Sequence, residues 1–176
     1  MGASVITKVK KTVQDYKKLP EGSLYQLING ELIMSPAPKR AHQKLIGRIY
    51  SIILAHCDNT GIGEVYIAPS DVYLDDENVV QPDIFFVSKN NLSILTDDGA
   101  EGAPDMVIEL LSPSNAYYDL KSKLRLYEKY GIAEYFIVDP EDNMVIAYTL
   151  IDGRYKETYQ EPNKIESKVL GFTVAW

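Results

Sequence analysis

Two carboxylates and one lysine stand where a folded chain rarely tolerates charge. The segment VVQPDIFFV sets Asp83 among Val79, Val80, Ile84, Phe85, Phe86 and Val87, and MVIELLS does the same for Glu109. A carboxylate in a core strand is costly unless it is paired or bound to a cation. Two of them in neighbouring strands would also repel each other, unless a metal ion sits between. For either acid alone, a strand-end residue satisfied by backbone donors or an arginine is an equal alternative. For the pair, a shared divalent cation is the more economical account, and oxygen-only ligands point to Mg2+ or Mn2+. Such a cation polarises what it binds and acidifies water.

The lysine comes from a later helix. At 3.6 residues per turn, Leu120, Leu124, Leu126, Tyr127 and Tyr130 share an arc of roughly 160°, and Lys123 lies inside it. Lys121, Arg125 and Lys129 lie on the other side, toward water. A lysine aimed at the core needs an anionic partner. Asp119, one turn earlier, supplies one in an ordinary i, i+4 pair. Alternatively, Lys123 reaches over the carboxylate site with Asp119 orienting it.

These side chains need elements to hold them. Thr12 to Leu19 reads as a short helix ended by Pro20-Glu21-Gly22. YQLI-NG-ELIM is a hairpin signal, because Asn29 and Gly30 both tolerate positive φ. Lys39 to Cys57 reads as an amphipathic helix, with Ala41, His42, Leu45, Ile46, Ile49, Ile52 and Ile53 on one arc. Strand-like runs follow at Glu64–Ala68, Asp71–Leu74, Val79–Val87 and Met106–Leu111. A second long helix covers about Asn115 to Tyr130, introduced by Ser112-Pro113-Ser114 and closed by Gly131. EYFIVDP is a buried strand, and VIAYTLIDGRYKETYQ a hairpin turning at Asp152-Gly153. The order predicts an α/β fold with a mixed central sheet flanked by helices and an added N-terminal hairpin.

Composition sets the outer limits. With 176 residues, 45% of them hydrophobic, and no repeat or linker, the expectation is one domain spanning residues 1–176. The single cysteine, Cys57, excludes an internal disulfide framework. No apolar run is long enough to span a bilayer, and MGASVITKVKK lacks a long apolar h-region. A cytoplasmic protein without a membrane partner is expected. The net charge of −7 is unevenly spread: residues 1–48 carry nine Lys/Arg against three acids, and residues 49–176 carry nine against 22. An acidic protein can thus present a basic face. Arg40, Lys44 and Arg48, spaced i, i+4, i+8, are candidates to follow phosphates, or are plain solvated charge.

Long stretches of the sequence resemble a known family. PDMVIELLSPSNAYYDLKSKLRLYEKYGIAEYFIVDP, the earlier LPEGSLYQLINGELIMSPAP followed by His42, and the separate PDIFFV are similar to the Uma-two-type restriction endonucleases of bacteria. The resemblance runs from about Asp15 to Tyr155 and implies a restriction-endonuclease-like core of the PD-(D/E)XK superfamily. It implies Asp83 as the motif aspartate and Glu109 as the (D/E), holding Mg2+ or Mn2+ with the main-chain carbonyl of Leu110. Leu111 stands where the superfamily places its lysine, and Lys123 from the following helix takes that role. Glu31 matches a recurring family acid and either completes the metal shell or is a solvated hairpin residue. Pro104-Asp105 is a rival to Pro82-Asp83, although Asp105 opens its strand and suits a backbone-bonding turn. His42 reads as a sheet-contacting histidine before a ligand, and His56 has no supporting motif. The implied partners are nucleic acid, DNA first, and a second copy in a homodimer. The rival reading is a nuclease-fold module that binds nucleic acid or a protein and cleaves nothing.

Overall fold

The computed structural model describes residues 9–20, 22–35, 37–111 and 116–176, with the side chains of 116–120 outside the description. Helix α1 is only Val13–Tyr16, shorter than expected, because the residue before Pro20 is pushed away from helical backbone. Strands β1 (Tyr25–Ile28) and β2 (Glu31–Met34) form the expected hairpin, with Asn29 and Gly30 at φ 52° and 79°. A Cβ on Gly30 would also meet the Lys10 side chain at 2.8 Å, so the turn is specified twice.

The expected single strand Val79–Val87 is broken. Its first part pairs as β5 (Asn78–Val80), its second as β6 (Ile84–Ser88), and the two belong to different sheets. Gln81, Pro82 and Asp83 make the crossing. Pro82 has no N–H to give a ladder, which makes it the natural place to leave one. The central sheet is therefore accompanied by a second sheet of equal strand number.

The first sheet runs β2-β1-β5-β4-β8-β7, with β4 at Asp71–Asp75, β7 at Leu95–Thr96 and β8 at Gly99–Glu101. The other runs β12-β11-β10-β9-β6-β3, with β3 Gly63–Ile67, β9 Met106–Leu110, β10 Glu134–Val138, β11 Met144–Ile151 and β12 Arg154–Pro162. Both are mixed: β4 and β8 are parallel, as are β9 and β10. Parallel neighbours require a crossover, and helix α3 (Ala116–Lys129) supplies it between β9 and β10.

Alternation along the strands sorts the core into two layers. Ile84, Phe86, Met106, Ile108 and Phe136 face helix α2 (Arg40–Thr60) through its buried Ile46, Ile49, Ile53 and Cys57. The C-terminal hairpin of β13 (Lys164–Ser167) and β14 (Phe172–Ala175) joins that layer through Ile165, Leu170 and Val174. Phe85, Val87, Val107, Tyr135 and Ile137 face the opposite way, toward Leu126 and Tyr127 of α3 and Ile28, Val72 and Val80 of the first sheet. Among the described residues, no helix is long and apolar enough to cross a membrane.

Candidate active site

Strand register brings the two acids together. β6 and β9 are antiparallel with Ile84 opposite Ile108 and Phe85 opposite Val107, so Asp83 falls opposite Glu109 at the next position. Glu109 follows the parity of Val107, which places it on the α3 face, whereas Asp83 sits in the bend before β6 and reaches toward His42 of α2. They differ in access. The Asp83 side chain retains 18% of its exposure at the crossing between sheets, whereas Glu109 is buried within β9. The expectation that Asp83 lies inside a continuous core strand is thus corrected: it sits on the rim.

Asp83 Oδ2 accepts the Leu110 N–H at 2.7 Å. The same oxygen lies 3.5 Å from His42 Nε2, carried in the first turn of α2. Burial alone would lower the His42 pKa, yet Asp83 and the Leu110 carbonyl raise it overall. His42 Nδ1 is buried without a hydrogen-bond partner among the described residues. Leu110 therefore turns its N–H toward Asp83 and its carbonyl toward His42.

Glu109 is held from α3. Lys123 Nζ donates to its Oε1 at 2.8 Å, and the Tyr127 hydroxyl donates to the same oxygen at 2.7 Å. Lys123 is as buried as its partner, on the inward arc of α3. Burial pushes the Glu109 pKa up, Lys123 pulls against it, and Asp83 adds to the rise. A second carboxylate so close makes the charged form costly, and a cation between them would remove that cost. Oε2 of Glu109 carries no hydrogen bond among the described residues, since both donors use Oε1.

This donor set fits a hard divalent ion. The two carboxylates and the Leu110 carbonyl offer oxygen only, the donor type that Mg2+ or Mn2+ takes. Among the described residues, no three His, Cys, Asp or Glu side chains converge into a complete protein cage.

The other candidates fall elsewhere. Glu31 is exposed on β2, at the edge of the first sheet, so it is not built into the strand pair that carries the acids. The side chain of Asp119 lies outside the described residues. Arg40, Lys44 and Arg48 are exposed on α2, on the face turned away from buried Ile46 and Ile49. Asp105 accepts the Ser88 N–H at 2.7 Å and the Asn91 amide at 3.2 Å, the turn role expected of it. His56 stacks on Phe172 with 4.2 Å between centroids and is structural. Leu111 packs with the core layer that faces α3. Tyr127 was missed as a site residue, although its spacing of four from Lys123 marked the same face. Its ring meets Tyr135 edge-on at 5.0 Å, and the Tyr135 hydroxyl is buried without a partner among the described residues.

No curated protein matches the chain. Its fold is that of a crystal structure described as a putative nuclease belonging to DUF820 from Anabaena variabilis ATCC 29413. The two align with a TM-score of 0.75 and 21% identity, over 91% of this chain and 90% of that one. Residues 13–176 match the sequence model of Uma2, described as "Putative restriction endonuclease", and the chain belongs to that family.

Proposed function

We propose that this protein is a divalent-metal-dependent endonuclease that hydrolyses phosphodiester bonds in nucleic acid, with DNA as the first substrate to test and Mg2+ or Mn2+ as cofactor. The observation that carries the reading is Asp83 beside Glu109, one position beyond the Ile84–Ile108 pair, with Lys123 bonded to Glu109. Nothing in ordinary core packing requires that trio. Asp83, Oε2 of Glu109 and the Leu110 carbonyl would hold the ion. When bound, it supplies positive charge at the scissile phosphoryl group and acidifies water.

The chain's own residues do the rest. Lys123 sits close enough to offset charge that builds on the phosphate, or to orient the attacking water. Tyr127 shares Oε1 with it and keeps the carboxylate from rotating. His42, next to Asp83 and raised in pKa, holds the rim carboxylate in place. Arg40, Lys44 and Arg48 would contact the nucleic-acid backbone without reading sequence. A homodimer in the cytoplasm completes the reading, in keeping with a lone, buried Cys57 thiol.

The test is incubation with single-stranded and duplex DNA and RNA, with Mg2+, Mn2+ or a chelator. Cleavage should need the metal and fall about 100-fold or more in Asp83→Asn and Lys123→Ala, the scale on which lost charge stabilisation acts. Unchanged cleavage by Asp83→Asn overturns the assignment. Metal binding no better than background would make the chain a binding module instead.

A further inference from the structure

A cleft of about 740 Å³ opens beside the candidate site, between α1, the start of β4 and the β7–β8 turn, with Tyr66 and Phe85 on its wall. Gln81 and Phe85, both in its lining, stand two residues to either side of Asp83, at most roughly 7 Å along an extended chain. The cleft thus reaches close to the site on both sides of Asp83. Rings form part of its wall, beside Lys17, Asp97 and Asp98: Tyr66 stacks on Phe85 at 5.3 Å and 21° between planes, and Tyr16 meets Tyr73 edge-on at 6.5 Å.

Its polar wall is fixed in advance. Asp71 Oδ1 accepts from the Tyr16 hydroxyl and the Gln81 amide, each at 2.8 Å, and Oδ2 accepts from the Tyr73 hydroxyl at 3.0 Å. Gln81 also anchors to the first sheet, since its N–H donates to Gln26 Oε1 at 3.1 Å. The amide spends its NH2 on this network, so among the described residues its carbonyl oxygen is the atom that can accept from a ligand. Flat rings with fixed acceptors suit a flat heterocycle bearing amino groups.

We infer that this cleft receives one unpaired nucleobase of the strand whose phosphate lies at Asp83 and Glu109, a step that rests on the proposed nuclease reading. A base in a duplex cannot enter such a pocket unless it is flipped out, so the substrate is single-stranded or locally opened nucleic acid. The charge distribution agrees. A chain of net charge −7 gains little from a duplex backbone, whose charge density exceeds that of a single strand. Stacking on Tyr66 supplies affinity that salt does not screen.

The probe is a single-stranded oligonucleotide carrying 2-aminopurine at successive positions, bound to the full-length protein with Ca2+ in place of Mg2+. Stacking should quench the fluorescence at one position several-fold more than at its neighbours. Tyr66→Leu, which keeps apolar contact with Phe85 but removes the ring, should abolish that selectivity, whereas Lys156→Ala, exposed on β12, should retain it. Equal quenching at all positions, or selectivity that survives in Tyr66→Leu, overturns the pocket. So does preferential binding of intact duplex with no 2-aminopurine response. Selective quenching without cleavage of any substrate in Mg2+ or Mn2+ would keep the pocket and remove the nuclease reading, so the two fail separately.

Discussion

Glu109 and Lys123 form a buried charge pair, and such pairs are asymmetric in their energetics. Removing one partner strands the other, at about 3–5 kcal/mol, while replacing both with apolar residues can be neutral or better. Glu109→Leu and Lys123→Met should each lower stability by that amount in urea denaturation, and the double variant should recover most of it. Additive losses would show that the 2.8 Å contact is energetically idle. Tyr127→Phe removes one hydrogen bond to a charged acceptor and should cost about 1.5–3 kcal/mol, with metal affinity reduced as well. Asp83 behaves differently, because it sits on the rim with its side chain 18% exposed. Its isosteric change to Asn keeps an acceptor for the Leu110 N–H, so function should fall far more than stability.

At the scale of elements, the break at Gln81–Asp83 makes the site. One uninterrupted strand would have left Asp83 deep in a sheet; the crossing places it at the mouth between two sheets instead. The neighbouring cleft depends on another close approach. Gly99, at φ 136°, lies against Asp71 so closely that a Cβ would stand 2.2 Å from the Asp71 carbonyl oxygen. Gly99→Ala should therefore part β4 from β8 and cost about 3 kcal/mol or more, the upper end for forced overpacking. Thermal denaturation checks the stability, and 2-aminopurine quenching should weaken along with it. The β4–β5 turn carries a pH dependence. Burial raises the Asp75 pKa, but hydrogen bonds from Tyr130, Asn78 and the Glu77 N–H, with Lys129 nearby, bring it below its ordinary 3.8. A lowered folded pKa contributes stability above 3.8 that is lost as pH falls through the folded value. Asp75→Asn should thus be less stable than the parent near neutrality, with the gap closing in acid. A gap independent of pH would assign the effect to packing.

Across the whole molecule, opposing charge distributions govern how a polyanion is met. The chain is acidic overall, so on the proposed reading the few exposed cations of α2 would carry a large share of the salt response. Reversing Arg40, Lys44 and Arg48 together should flatten the log–log salt dependence of single-strand binding by about 2, at roughly 0.7 per phosphate contact. An unchanged slope would return these residues to ordinary surface. The C-terminal hairpin is tied in from a distance. Glu134, nearly fully buried, accepts the Ser167 hydroxyl at 2.5 Å and the Lys168 N–H at 2.8 Å, which clamps the hairpin over the α2 layer.

Patterns that repeat along the chain were readable from residue order alone. The Asn29-Gly30 and Asp152-Gly153 turns, the buried arc of α2 and the inward Lys123 all follow from local backbone rules and helical period, which need no partner. So did the anomaly of Asp83 and Glu109, because a charge in an apolar run is costly wherever that run ends up. Pairing decided the remainder. That Asp83 stands opposite Glu109 depends on β6 and β9 choosing one register, and residue order does not encode register across a gap of more than twenty residues. The division of Val79–Val87 between two sheets, the second sheet itself and the cleft beneath Tyr66 arise in the same way. Their strands are short and find partners far along the chain, so non-local packing chooses among pairings that local preference leaves nearly equal in energy.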